Sequence, residues 1–319
     1  MGWEEIGRPA EDWSEIGYSP EETAARGKPS TFRRMVADPV VSLAKGVVGV
    51  PEFAVGLADI ATGGAAGKLA EEAGFRPREA RDILDTLLSP EQQAANKAVR
   101  EAKGFLPTLK EAVTRPSTIA HSVIESLPSM LGGGAIAQGL RIAAPVIKPL
   151  IAGGIGEGLV SAGQTAEQIR QETPTGTLTA KQAVIPAVSG TLTGVLGVAG
   201  GRLAQKLGVT DIDVLLAGGQ AQATKKALVR RIGEGALTEG WFEELPQTAQ
   251  EQIAQNVAFD RPWNEGVPEA SAMGTLAGMV MGGGAATITV PSDRDRAKDL
   301  LARSLSGTLP KIKPTPPVP

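Results

Sequence analysis

Few residues in this sequence are of types that carry out chemistry. The single histidine, His121, is followed by Ser122 and, four residues on, by Glu125. A base, a hydroxyl and a carboxylate thus share one short segment, but side chains spread over one or two helical turns diverge, whereas a nucleophilic triad needs them to converge. The absence of Cys removes thiol nucleophiles, disulfides, zinc knuckles and iron–sulfur clusters. No phosphate-binding loop, no Gly-x-Gly-x-x-Gly turn after a strand and no carboxylate metal cluster is visible in the spacing. The expectation is a protein that is not an enzyme, with no catalytic residue, metal ligand or cofactor. Lys225, Lys226, Arg230 and Arg231 form the dense basic cluster, on a presumed helix with Leu228, Val229 and Ile232. Such a cluster either touches phosphate of DNA or lipid or is a solvated face. A net charge of -3, from 32 basic and 35 acidic residues, gives no global footprint for nucleic acid, so any contact with DNA is local and non-specific.

The stronger signal is the spacing of small residues. Gly63/Gly67, Gly154/Gly158, Gly190/Gly194, Gly197/Gly201, Gly274/Gly278 and Gly278/Gly282 are all Gly-x-x-x-Gly pairs. Four-residue spacing places both glycines on one helix face, where another helix can approach closely, either in lipid or in a tightly packed soluble oligomer. A second signal is a loose repeat. Residues 156–171, GEGLVSAGQTAEQIRQ, resemble residues 238–255, TEGWFEELPQTAQEQIAQ, and each copy is followed by a long uncharged stretch. The unit reads as an amphipathic Gln-rich helix and then a Gly-rich apolar helix. Gln164, Gln168, Gln247, Gln250, Gln252 and Gln255 are the candidates to line a lumen or meet partner helices.

The elements that must position these residues are helical. With 40 Gly and 23 Pro but only 3% aromatic residues in 319, little bulky material is available for a thick core, and the absence of a Gly-X-Y period excludes collagen. Between Pro39 and Ala61 apolar residues recur at alternating three- and four-residue steps, a helical period, with Pro51 expected to kink or split it and Gly63-Gly64 to end it. Ser89-Pro90-Glu91 is an N-cap with Pro at the first helical position. After Pro128 the texture changes to Gly, Ala, Ile and Val. Uncharged runs of 20 residues (182–201) and 23 residues (270–292) meet the ~20 needed to cross a bilayer, though Gly, Ser, Thr and Ala stand where Leu, Ile and Phe would favour insertion.

The sequence is therefore read as all-α, an extended multi-helix protein with Gly/Ala-rich apolar helical hairpins, an acidic N-terminal arm and a Pro-rich C-terminal tail. Residues 1–35 are the arm, 36–126 an amphipathic helical region, 127–210 Gly-rich apolar helices with the first Gln-rich helix, 211–291 the second Gln-rich and Gly-rich helices, and 292–319 a short helix and the tail. The arm repeats W-E-E-I-G and W-S-E-I-G, so Trp3 and Trp13 either pack on the body or dock on a partner, where buried aromatics dominate interface energetics. Its start, MGWEEIGRPAEDW, lacks a basic region leading into an apolar run, so a cleaved secretory signal is not expected.

Three phrases carry a resemblance: PEFAVGLADIATGG from Pro51, PSTIAHSVIESLPSMLGGG from Pro116 and EELPQTAQEQIAQN from Glu243. Together they resemble the Gly/Ala-rich helical regions of internal virion proteins, or ejection proteins, of short-tailed bacteriophages, over roughly residues 36–290. In larger relatives such stretches follow a transglycosylase domain. Glu125-Ser126 is similar to the Glu-Ser pair of those enzymes, but the segment that should follow is replaced by LPSMLGGG and the only Tyr is Tyr18, so a wall-cleaving site is rejected. The resemblance implies a multi-copy protein packaged inside the capsid near the portal. It would leave before the DNA and reassemble as a conduit through the host periplasm and inner membrane. Its implied partners are further copies of itself, other core, portal or tail proteins, the host inner membrane and DNA in transit. The alternative is a soluble structural or scaffolding subunit of the virion core that never enters a membrane.

Overall fold

In a computed structural model, residues 33–222 and 226–288 are described, and among them every regular element is helical and no strand occurs. The Trp3 and Trp13 elements, Lys225 and the Pro-rich tail lie outside the described residues. A π-helical turn, Arg33–Ala37, leads into α1 (Asp38–Thr62), followed by α2 (Ala65–Glu72), α3 (Pro77–Leu87), α4 (Pro90–Glu101), α5 (Phe105–Thr114) and α6 (Pro116–Ala143). Then come α7 (Pro149–Glu172), α8 (Ala180–Leu207), α9 (Ile212–Leu216) and α10 (Leu228–Ala236). A second π-helical segment (Leu237–Glu244), α11 (Leu245–Ala258) and α12 (Val267–Ala285) complete it.

Helix boundaries follow local chemistry. α1 ends where Gly63 and Gly64 take φ of 65° and 90°, a left-handed pair that glycine adopts without a Cβ clash. Pro51 does not split α1; the helix is continuous through it. Nor does α6 break at Pro128, where the composition changes. Ser89 caps α4 by accepting from Gln92 N at 3.3 Å, and its own N and Oγ donate to buried Asp38 at 2.9 and 2.5 Å. One carboxylate thus ties the start of α1 to the start of α4. Thr179 and Gln182 close a capping box on α8, satisfying donors that a bare helix start leaves open.

α7 is the central helix, lying against α1, α6 and α8, while α12 packs on α5, α10, the second π-helical segment and α11; α11 also lies on α8. Glycine sets these approaches. A Cβ at Gly154 would sit 2.6 Å from the Gly194 carbonyl oxygen, and one at Gly158 would collide with that of Gly190, so α7 and α8 meet backbone to backbone at two successive turns. Gly56 and Gly163 do the same between α1 and α7, Gly133 and Gly156 between α6 and α7, and Gly235 and Gly282 between α10 and α12. Little room remains for large side chains, and among the described residues the apolar core forms three small clusters: Val99, Ala112, Ile119 and Leu276; Ala166, Ile169, Leu178 and Ala258; Ala137, Ala152 and Ala217. An ionic lock reinforces the α1–α7 contact. Arg170, 1% exposed, donates to Glu167 at 2.8 and 2.7 Å and pairs with Asp59 at 3.3 Å and Glu71 at 3.0 Å. A multiply bonded set of this kind is what makes a buried guanidinium tolerable.

Close approach through glycine makes added carbon costly. Gly158→Ala and Gly163→Ala should each destabilise the chain by about 1–3 kcal/mol through overpacking, read from the midpoint of chemical denaturation. Gly139→Ala, on α6 with nothing within 4 Å of the new methyl, should instead stabilise by about 0.5–1 kcal/mol through helix propensity.

Candidate functional sites: an acidic chamber and an apolar face

The sequence repeat places two glutamates in equivalent positions, Glu157-Gly158 on α7 and Glu239-Gly240 on the second π-helical segment. Both glycines lie against a neighbouring helix, Gly158 against the Gly190 carbonyl of α8 and Gly240 against the Thr275 carbonyl of α12. The repeats differ in one respect: seven residues separate Glu157 from Gln164, and eight separate Glu239 from Gln247. The wider turns of the π-helical stretch absorb the extra residue, as single insertions in helices do. Glu157 and Glu239 consequently both turn inward.

Around them the fold gathers carboxylates from four segments. Asp211, at the N-cap of α9 with Oδ1 accepting from Val214 N at 2.7 Å, lies with Glu239 and Glu243 so that one oxygen of each falls within 4.8 Å of the others. Glu157, Asp213 and Glu243 form a second such triplet. Glu244 and, on α11, Glu251 extend the cluster. A cavity of about 580 Å³ runs beside it, lined by Glu157, Asp213, Glu239, Glu244, Gln247 and Glu251 among others. Asp211, Glu239 and Glu243 are buried. Among the described residues no Lys or Arg forms an ion pair with any of the seven. The sequence spacing showed no carboxylate cluster; folding assembles these triplets from segments up to 86 residues apart (Glu157 and Glu243).

Burial without a cation raises these acids. Asp213 is pushed up to about 7, by burial and then by the charge of Asp211. Glu244 reaches about 8, through burial and then the charges of Glu251 and Asp213. Glu157, Glu239 and Glu243 are held well above the usual carboxylate range, again by burial first and neighbouring carboxylates second. Glu251 rises less because Ser161 and Thr193 donate to its Oε1 at 2.6 and 2.9 Å.

The expected site residues fall into three groups. Gly154, Gly158, Gly190 and Gly194 meet one another between α7 and α8; Gly274, Gly278 and Gly282 receive Thr248, Glu244 with Gly240, and Gly235. Gly197 and Gly201 are the exception to helix-on-helix packing, because they face Glu157 and Asp211. Within the chain the Gln side chains are hydrogen-bonded: Gln255 donates to Gln168 at 2.8 Å, Gln164 to Ser129 at 2.9 Å, Gln250 to Thr193 at 2.7 Å, Gln247 to the Thr193 carbonyl at 3.4 Å and Gln252 to Asn256 at 3.1 Å. Of the basic cluster, Lys226 and Arg230 both pair with Glu234, at 2.5 and 2.8 Å, which lowers the charge α10 offers a phosphate; Arg231 is half-buried. His121 faces Ser42 Oγ at 2.6 Å, while Glu125 pairs with Lys45 and Ser122 donates to the Thr118 carbonyl, so the segment forms no triad.

A second feature lies outside. Val184, Val188, Leu192 and Val195 are exposed along one face of α8, and Ile151 and Ile155 are exposed on α7. They border an apolar groove of about 670 Å³ between α7 and α8, with a second groove of about 390 Å³ beside it.

The raised acids make stability depend on pH with a definite sign. A carboxyl with a raised folded-state pKa holds its proton where the unfolded chain has lost it, so its contribution is full below the unfolded pKa and is lost as pH rises through the folded value. In chelator, the denaturation midpoint should fall steadily between pH about 5 and 8, by about 1.4 kcal/mol per pH unit for each extra proton held. Glu244→Gln should flatten the upper end of that decline, which a series of urea titrations would read. No family model matches the chain, and neither does any curated protein or solved structure.

Proposed function

We propose that the chain is a non-enzymatic internal virion protein of the ejection class, whose copies associate through the apolar face of α7 and α8 into part of a conduit for genome delivery across a host envelope. One observation carries this reading, the inverted polarity of the folded chain. Among the described residues, eleven apolar side chains larger than alanine are buried and thirty are exposed, while Glu, Asp, Gln, Thr and an Arg occupy the interior. An isolated water-soluble domain keeps large apolar patches small. Lipid or a second copy of the chain is the surrounding in which this arrangement is stable.

Further support comes from length and composition. The helical stretch 33–62 and α8 are long and apolar enough to cross a membrane by those criteria, each with 33% of its most apolar window buried. The Gly/Ala-rich hairpins of the reading are α7–α8 and α11–α12, tied by glycine contacts that need no large side chains. In the second repeat Trp241 and Val257 stand outward at 48% and 40% exposed, whereas Ala162, Ala166 and Ile169 of the first are buried. The Gln side chains become lumen-lining only where α11 separates from α8 during assembly. The acidic arm and Pro-rich tail are the proposed contacts with portal, tail or other core proteins.

Flotation with anionic liposomes at physiological salt, followed by a high-salt wash, tests the reading. The full chain should float and stay bound after the wash. Val188→Asp with Leu192→Asp should leave it at the bottom, since each Asp costs about 2.5–3.5 kcal/mol at the centre of an inserted helix. A wild-type chain that stays at the bottom as an oligomer would make the same face a protein–protein surface and favour the soluble core subunit.

A further inference from the structure

The acidic chamber offers a second property, independent of the apolar face. We infer that it is a binding site for hard divalent cations, in which Glu243 bridges one position held by Asp211 and Glu239 and another held by Glu157 and Asp213.

Four observations carry this. The first is an orphaned acceptor. Glu243 is 2% exposed, and its Oε2 has no hydrogen-bond partner; Oε2 of Glu157 is likewise buried and unpartnered. A buried carboxylate oxygen without a donor carries its full desolvation cost, and a cation at the centre of the cluster removes that cost at both residues together. The second is spacing. In each triplet one oxygen of each residue lies within 4.8 Å of the others, close enough for a single hard cation to touch all three.

The third is donor chemistry. Every available ligand is oxygen, and the one histidine is bonded to Ser42 elsewhere, which selects Ca²⁺, Mg²⁺ or Mn²⁺ over zinc, copper or iron. Donor occupancy also decides which acids take part. Asp211 spends Oδ1 on Val214 N and still falls within one triplet, whereas Glu251, whose Oε1 is held by Ser161 and Thr193, falls in neither; Glu251 is therefore a neighbour and not a ligand. The fourth is the wall behind the cluster. A Cβ at Gly197 would collide with Glu157 Oε2, one at Gly200 with Glu243 Oε2, and one at Gly201 would sit 2.7 Å from Asp211 Oδ2. Three glycines on one face of α8 thus make room for the three carboxylates. Five ionised carboxylates against two divalent ions leave one net negative charge.

Equilibrium dialysis of the full chain against radiolabelled Ca²⁺ at neutral pH and physiological ionic strength tests the site. The expected result is saturable binding of two ions per chain below about 1 mM free Ca²⁺, together with a rise in melting temperature as the ion is added. Glu243→Gln, which keeps shape and removes the bridge, should weaken binding at both positions at least tenfold. Asp213→Asn should weaken one position and spare the other, and Glu79→Gln on the exposed face of α3 should change neither. Circular dichroism establishes that each variant is folded, and the wild-type measurement decides the question if a variant is not. A folded wild-type chain that binds no Ca²⁺ at about 1 mM would overturn the inference. So would a folded Glu243→Gln chain that binds as the wild type does, since that would place the ions on surface carboxylates.

Discussion

Contact between helix backbones, made at glycines where a Cβ would strike the opposing carbonyl, is the constraint from which the other features of this fold follow. Gly154 with Gly194, Gly158 with Gly190 and Gly56 with Gly163 bring three long helices so close that their shared interface holds almost no side-chain volume. Dispersion then comes from backbone and alanine atoms, each contact small but numerous. Large apolar residues have no place between such helices and are displaced outward, and this is why Val184, Val188, Leu192 and Val195 face away from the body.

The same constraint explains what fills the space that remains. Where helices diverge from a glycine crossing, the gap is too irregular for the few aromatic rings available, and the chain closes it with hydrogen-bonding groups: Thr193 with Gln250 and Glu251, Gln168 with Gln255, Arg170 with Glu167. Such networks stabilise only when their members are satisfied. The Arg170 set meets that condition at Glu167 and Glu71, which accept from the guanidinium, and leaves Asp59 Oδ2 paired by charge alone at 3.3 Å. The acidic cluster does not, because its charges share one sign; protons or a cation must complete it.

The helical class and the capping of α4 by Ser89 were legible in the sequence, because period and cap chemistry are local. The glycine spacing was legible as a face, but not the face's partner: Gly190 and Gly194 meet a helix, while Gly197 and Gly201, on the same helix and at the same spacing, meet carboxylates. Nothing in a four-residue interval separates those outcomes. The chamber was hidden for a similar reason, since Glu157, Asp211, Asp213, Glu239 and Glu243 come from segments that only tertiary packing brings together. The available hint was the repeat itself. Glu157 and Glu239 hold equivalent places in it, and the one-residue difference between the copies is the insertion that the π-helical stretch absorbs. Pro51 reads locally as a kink or a split, and the split does not occur: it lies inside one continuous helix, as does Pro128, where packing on neighbours outweighs one lost backbone hydrogen bond.

The two candidate sites share a helix. α8 turns Val184 to Val195 outward and turns Gly197, Gly200 and Gly201 toward the carboxylates of Glu157, Glu243 and Asp211. Glu157 belongs to the first repeat and Glu239 and Glu243 to the second, so the chamber is also the seam along which the two repeats meet. With its charges compensated, the seam draws the π-helical segment against α8; with its carboxylates ionised and uncompensated, their mutual repulsion acts along that same line. The helix that would feel the change is the one that presents the apolar face. The chamber and the apolar face thus lie on opposite sides of one helix, and a ligand at the seam would act on that helix only by its difference in affinity for two arrangements of it.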